Sequence, residues 1–379
     1  MIETTSTPNS TTASLAQRLR ERIRRDGPIT FHDWMESALY DPRDGYYCRE
    51  NLLRWGREGD YRTSPERSSL FAATFARHFA RLYEQLGQPS VWTILEAGAG
   101  DGSFAEVVLQ TLLKSFPNVV AATSYVIDEI GPTSRRLAQE RLQAFADRVQ
   151  FQPLDEAKVS PGVVFTNELL DAFPVHRVTV RDGELKEFMV TLGANGRFEW
   201  LLTDPDADLS SQFEKYFEEA SIKPVEEQVI EVNLHIEEWL RGVAAGMGSG
   251  YVVTVDYGAE TEDLHSSSAE PSGTLRGFRR HQFVDDLLAD PGEHDLTTTV
   301  NWNVVKSVAA RLGFEVVEFE RQDQFLLQAG FLEQLELESS SAESEAQRLR
   351  LSTAAREMIL PDGMAARFQV LVLKKSSGE

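Results

Sequence analysis

Near the start of the chain, apolar residues recur every three or four positions, at Leu15, Leu19 and Ile23 and again at Phe31, Met35 and Leu39. That spacing predicts two short amphipathic helices, the second stopped by Asp41-Pro42. The same period at Phe71, Phe75, Phe79 and Leu82 predicts a helix over residues 69–86 whose stripe faces a core. Beyond residue 90 the pattern changes to short continuous apolar runs, at 91–95, 124–128, 149–151 and 163–165, with a helical period over 133–145 between two of them. Strands buried on both faces read as unbroken apolar runs, so this alternation predicts a parallel sheet with helices on each side.

The rhythm breaks at residue 175. Residues 175–203 alternate polar and apolar and carry two turn dipeptides, Asp182-Gly183 and Asn195-Gly196, which predicts an antiparallel meander. The acidic stretch 204–238 reads as mainly helical, with Phe213, Tyr216 and Phe217 turned inward. A buried strand returns at 251–255. It is followed by a polar loop at 264–272, a helix at 304–312, a strand at 314–319, helices at 324–335 and 346–358, and a last strand at 368–373. The organisation expected is an α/β fold: a disordered tail over 1–14, a helical and loop extension over 15–90, and a sheet-building core in two halves, 91–174 and 246–379. An inserted β-meander with helices fills 175–245, and a substrate-facing loop spans 259–300.

With 379 residues, 41% of them hydrophobic, the chain can bury a substantial core. Its formal charge of −22 repels a phosphate backbone, which excludes a broad nucleic-acid face and favours a basic protein or a cationic side chain as partner. A single cysteine, Cys48, excludes an internal disulfide and a cysteine-built zinc site and points to a reducing compartment. No apolar run reaches membrane-spanning length. The first fourteen residues are rich in Ser and Thr without an apolar h-region, and Glu3, Glu21 and Asp26 interrupt the arginines that follow. A helix of the folded domain is expected there rather than a transit segment, and a bacterial cytoplasm rather than a mitochondrial matrix.

The candidate chemistry gathers where the apolar runs end. The first passes into Glu96-Ala97-Gly98-Ala99-Gly100-Asp101-Gly102, and Ser103 with Glu106 has the form of a capping box opening a helix. Glycines in such a strand-to-helix turn accept positive φ and let a ligand approach the backbone beside free N–H groups, which favour negative charge. The next run ends in Asp128 and Glu129, both placed to accept hydrogen bonds from ribose hydroxyls. A third runs into Asn167, Glu168 and Asp171, which either face the ligand crevice or act as helix N-caps. Asp256 ends a fourth. Arg276 and His281, in the 259–300 segment, could close the site; His281 could instead accept a proton or be a surface histidine. The aromatic loop around Gly45-Tyr46-Tyr47 and 59–66 packs either on surface or on ligand.

The spacing E-x-G-x-G-x-G differs from the dinucleotide pattern G-x-G-x-x-G and resembles motif I of class I methyltransferases that bind S-adenosylmethionine. More broadly, the chain resembles the MidA-like family, whose mitochondrial members are complex I assembly-factor arginine methyltransferases. The blocks that carry this are Gly45-Tyr46-Tyr47, Gly59-Asp60-Tyr61 with Thr63 and Pro65-Glu66, Glu96 with its glycines, Asn167-Glu168 with Asp171 and Pro174-Val175, Asp256-Tyr257-Gly258, Gly273-Thr274-Leu275-Arg276 with His281, and Pro291-Gly292 with Asp295-Leu296-Thr297. The chain departs from the family at Ala99 and Asp101, where proline and arginine are usual, and at Gly131, where serine is usual.

The resemblance implies a Rossmann-like seven-stranded sheet with added elements, S-adenosylmethionine as methyl donor and no metal. It implies as acceptor a protein with an accessible arginine, a complex I-type respiratory subunit for mitochondrial members. Cofactor-binding candidates are then Glu96 (placing the ammonium group), Gly98, Gly100, Gly102, Glu129, Asn167, Thr63 and Pro65; catalytic candidates are Glu168, Asp171, Asp256, Arg276 and His281. Competing readings are a methyltransferase acting on a small molecule, a cofactor-binding assembly chaperone with little catalysis, and a dinucleotide oxidoreductase, which the glycine spacing disfavours.

Overall fold

The computed structural model describes residues 13–50, 69–265, 271–280, 282–360 and 367–377. The chain opens with α1 (Leu15–Asp26), the two-residue strand β1 (Ile29–Thr30) and α2 (Phe31–Tyr40). Ser14 caps α1 in a full capping box with Gln17, and the Thr30 side chain accepts from the Asp33 N–H to start α2. Helix α3 (Ser69–Gln85) carries the phenylalanine stripe read from the sequence, with Phe71, Phe75 and Phe79 fully buried.

Then come β2 (Trp92–Ala97), α4 (Ser103–Ser115), α5 (Pro117–Ala122), β3 (Thr123–Asp128), α6 (Pro132–Arg141), β4 (Val149–Phe151) and β5 (Gly162–Asn167). The insertion supplies β6 (His176–Arg181), β7 (Glu184–Leu192), β8 (Phe198–Thr203), α7 (Ala207–Ala220), β9 (Ile230–Val232) and α8 (His235–Gly246). The core resumes at β10 (Gly250–Ala259). It continues through β11 (Arg276–Arg279), β12 (Gln282–Phe283), β13 (Asp295–Thr297), β14 (Val300–Asn301), α9 (Trp302–Arg311), β15 (Glu315–Arg321), α10 (Gln322–Gln328), α11 (Phe331–Ser340), α12 (Glu345–Ile359) and β16 (Phe368–Lys375).

Seven strands form the expected central sheet in the order β15-β16-β10-β5-β2-β3-β4, and β14 adds a short parallel pairing to the end of β10. The pairs from β10 to β4 are all parallel, while β16 runs antiparallel to both its neighbours. Successive side chains go to opposite faces. Ile94, Phe165 and Val253 therefore join one core with α3, α4 and α10, and Leu95, Val164 and Val252 join the other with α7, α8 and α9. The ring of Phe104, in the first turn of α4, stacks on Phe165 with centroids 4.2 Å apart, which clamps the helix start, and so the glycine turn before it, to the sheet.

A second, antiparallel sheet joins the N-terminal extension to the insertion. Its order is β1-β7-β6-β9, with β8 on the other part of β7, and Ile29 pairs with Val190. Behind it, Phe31, Trp34 and Leu39 of α2 pack with Val175, Val190 and Phe198 in a third core. A third sheet, β12-β11-β13, is built from the 259–300 segment.

The structure corrects several local expectations. Ser103 is the first helical residue rather than the cap: Gly102 occupies the cap position, and the Asp101 carboxylate accepts from the Ser103 N–H at 3.0 Å. The Glu106 carboxylate turns instead to Arg141 and Gln110. A further short helix, not read from the sequence, begins at Pro117, the position at which proline lacks an N–H without loss. Residues 230–232 form a strand within the stretch read as helical. Residues 1–12 of the expected tail, and 266–270 of the expected polar loop, lie outside the described residues. Among the described residues no helix is long and apolar enough to cross a membrane.

Candidate active site

β2, β3, β5 and β10 end at one edge of the sheet, and a cavity of about 760 Å³ opens there. The glycine turn forms part of its floor. Gly98 has a φ of +73° and Gly100 one of +57°, a backbone that L side chains rarely adopt, and both line the cavity. Gly102 does not. A Cβ there would come 3.0 Å from the Ala138 Cβ, so the third glycine lets α6 pack against α4.

Beside the turn, Glu129 spans it: one carboxylate oxygen accepts from the Gly100 N–H at 2.8 Å and the other from the Gly131 N–H at 2.6 Å. Asp128 also borders the cavity, but its carboxylate accepts from the Leu154 N–H at 3.2 Å, tying β3 to the chain beyond β4. Burial raises the Asp128 carboxyl above its ordinary range. Glu96, expected to meet a ligand's ammonium group, lies elsewhere. It is buried, does not line the cavity, and accepts a 2.7 Å hydrogen bond from the Tyr125 hydroxyl. Burial pushes its carboxyl up to about 8, the hydroxyl's hydrogen bond pulling the other way.

At the end of β5 the chain turns sharply. Glu168 has a φ of +53°, a strained value for a side-chain-bearing residue, and its N–H donates to the Val255 carbonyl at 2.9 Å. The Asn167 amide nitrogen donates to the Glu168 carboxylate at 3.1 Å, while the Asn167 side-chain oxygen is buried with no partner among the described residues. Neither Asn167 nor Asp171 caps a helix: the single turn at Leu170–Ala172 has no side-chain cap. Fully buried Asp256 holds this loop, accepting from the N–H groups of Leu169, Leu170 and Tyr257 at 3.2, 2.8 and 2.8 Å. Asp256 is thus outside the cavity wall; burial pushes its carboxyl up to about 7 against those three hydrogen bonds.

Among the described residues six carboxylates line the cavity, on Glu36, Asp128, Glu129, Glu168, Asp171 and Asp295, and of these Glu168 and Asp295 act on Asp171. Burial first, and then the charges of Asp256, Glu168 and Asp295, hold the Asp171 carboxyl well above the usual range. The N-terminal extension completes this end. Tyr47 donates to Asp295 at 2.7 Å, Tyr40 donates to the Ala172 carbonyl at 3.0 Å, and the two rings stack 5.4 Å apart. Asp295 and Tyr40 were not singled out as site residues from the sequence, and Tyr47 was weighed only as part of an aromatic loop packing on surface or ligand, although the pattern Asp295-Leu296-Thr297 places two polar side chains on one face of a strand. Arg276 lines the cavity. Thr63, Pro65 and His281 lie outside the described residues.

The arrangement combines an open backbone turn with an adjacent carboxylate at one end and an acid-rich, aromatic-walled recess at the other. A nucleoside with an amino-acid tail suits the first and a cation the second. A family model for S-adenosyl-L-methionine-dependent methyltransferases, Methyltransf_28, matches residues 74–320. A COG1565 superfamily protein from Burkholderia thailandensis, crystallised with S-adenosyl-homocysteine, is 28% identical, with a TM-score of 0.83 over 96% of this chain and 92% of that one. The Drosophila melanogaster mitochondrial protein arginine methyltransferase NDUFAF7 homolog is 26% identical over 82% of this chain and 73% of its own length. Its Danio rerio counterpart is 24% identical over 95% and 87% respectively.

Proposed function

The chain belongs to the family of S-adenosyl-L-methionine-dependent methyltransferases, and from that premise we propose that it transfers the methyl group to an arginine side chain of a protein. S-adenosylmethionine is the donor, and the residues present fit it. Gly98 and Gly100 leave the backbone open to the methionyl tail, Glu129 stands one strand away for the ribose hydroxyls, and Asn167 contributes a side-chain oxygen with no other described partner. When bound, the sulfonium supplies an electrophilic methyl group and leaves as a neutral thioether, so the protein's task is alignment and the handling of charge.

The observation that carries the reading is the carboxylate recess. Glu168, Asp171 and Asp295 are gathered in one wall, where burial and the neighbouring carboxylates disfavour ionisation of Asp171. A guanidinium relieves that repulsion, and its planar N–H edges pair with carboxylates two at a time. Glu168 orients one nitrogen toward the methyl group; as the N–C bond forms, the proton on that nitrogen passes to the Glu168 carboxylate and then to solvent. Asp171 and Asp295 hold the remaining N–H groups, with Tyr47 fixing Asp295.

Cell lysate incubated with the enzyme and tritiated S-adenosylmethionine tests this. The expected result is a labelled protein band that yields methylarginine on hydrolysis. Label confined to metabolites, label on another amino acid, or no label from protein that binds the cofactor normally would each overturn the proposal.

A further inference from the structure

The β12-β11-β13 sheet turns one face toward the cavity. Arg276 pairs with Thr297 and Phe278 with Asp295 in its register, residues two apart share a face, and these four side chains all line the wall. Arg276 is half-buried, its guanidinium 5.0 Å from the centre of the Tyr257 ring. No hydrogen bond or ion pair to a described residue engages its N–H donors.

Arg177 shows what a structural arginine looks like in the same molecule. It too lies over a ring, Trp200 at 5.0 Å, but its edge is filled by Glu231 at 3.1 Å and the Ser272 carbonyl at 2.6 Å. Beside Arg276 the wall holds a second guanidinium, Arg367, next to Phe368, which pairs with Tyr257 across β10 and β16. In a chain of net charge −22, two arginines in one cavity wall with no carboxylate partner among the described residues leave room for an anion from outside.

The strand order says whose anion. Glu129 ends the β3 side, Gly98 follows β2, Asn167 ends β5 and Tyr257 lies in β10. Neighbouring strands are about 4.8 Å apart. Tyr257 therefore stands roughly 10 Å along the sheet from the glycine turn, and Arg276 lies against its ring, which puts the pair on the side we read as the acceptor's.

We propose that Arg276, supported by Arg367, binds a carboxylate of the methyl acceptor, an acidic side chain close in sequence to the arginine that is methylated. This rests on the reading of the acceptor as an arginine-bearing protein. The test uses the whole chain loaded with S-adenosylhomocysteine and calorimetry of arginine peptides bearing a glutamate within a few residues, against the same peptides with glutamine. The wild type should bind the glutamate peptides about tenfold more tightly. Arg276→Gln should abolish that difference, Arg276→Lys should restore only part of it, and S-adenosylhomocysteine affinity should stay within about twofold in both variants.

Equal binding of the two peptide sets by the wild type, including no binding of either, overturns the proposal. So does a matching loss of S-adenosylhomocysteine affinity in Arg276→Gln, which would assign the residue to the cofactor's own carboxylate. The lysate labelling reads transfer to arginine without reference to any acidic neighbour, so failure here and failure of the arginine reading are separable.

Discussion

The two ends of the cavity are built in different ways. The end we propose for the cofactor comes from one βαβ unit: Gly98 and Gly100 after β2, and Glu129 after β3, with Glu129 hydrogen-bonded back to the turn. The end we propose for the acceptor comes from separated stretches, supplying Tyr40 and Tyr47, Glu168 to Asp171, Tyr257, the β11 and β13 strands, and Arg367. The first end presents backbone, at conformations only glycine takes easily. The second presents side chains, and there burial and neighbouring negative charge disfavour ionisation of Asp171 and Tyr40. A ligand shared by many enzymes can be met by a local turn, whereas an acceptor peculiar to one enzyme is met by residues the tertiary fold brings together.

If that contrast holds, substitutions at the two ends should separate binding from turnover. The largest effect belongs to Gly98→Val. Its φ is strained for any L residue, and the first atom of the new side chain would already sit 3.1 Å from the Leu169 Cδ1. Cofactor affinity by calorimetry should fall about a thousandfold or more while the chain stays folded by circular dichroism. Retained affinity would mean the turn is not where the cofactor binds.

Glu168→Gln should leave cofactor affinity nearly unchanged and lower kcat about a hundredfold in single-turnover labelling. An equal loss in cofactor binding would erase the boundary between the two ends. Glu129→Gln reverses the pattern at smaller scale. The amide can accept from only one of the Gly100 and Gly131 N–H groups and loses the charge that suits ribose hydroxyls. Cofactor affinity should drop about tenfold with kcat at saturating cofactor preserved.

The same difference in construction explains what the sequence could reveal. The parallel sheet, its helices and the meander were legible, because each is written in local periodicity and turn dipeptides. Gly98 and Glu129 could be named as cofactor candidates for the same reason, since each closely follows an apolar run. Asp256 was misread as facing the acceptor: its place at a strand end gave no hint that three backbone N–H groups of the 169–170 loop and Tyr257 would claim its carboxylate. Tyr47 and Asp295 lie 248 positions apart and meet only through the packing of the N-terminal extension on the third sheet, which no local pattern encodes. The pairing of β1 with β7 was hidden likewise, since two residues are too few to show an alternation.

Glu96 tests the contrast from inside the legible region. Motif spacing assigns it to the cofactor, yet its carboxyl is enclosed and bonded to Tyr125. Its pKa rises from the ordinary 4.5 to about 8, so between those values the folded chain holds a proton that the unfolded chain releases. Stability must then fall as pH climbs through that window and level off above it. In Glu96→Gln the amide oxygen still accepts from the Tyr125 hydroxyl, but nothing titrates. The variant's melting temperature should match the wild type near pH 5 and exceed it by a growing margin toward pH 9, with cofactor affinity changed by no more than about twofold. A flat difference across pH would show Glu96 ionised in the folded chain. A tenfold or greater loss of affinity would return it to the cofactor end, and the division between local and assembled recognition would have to be redrawn through the motif itself.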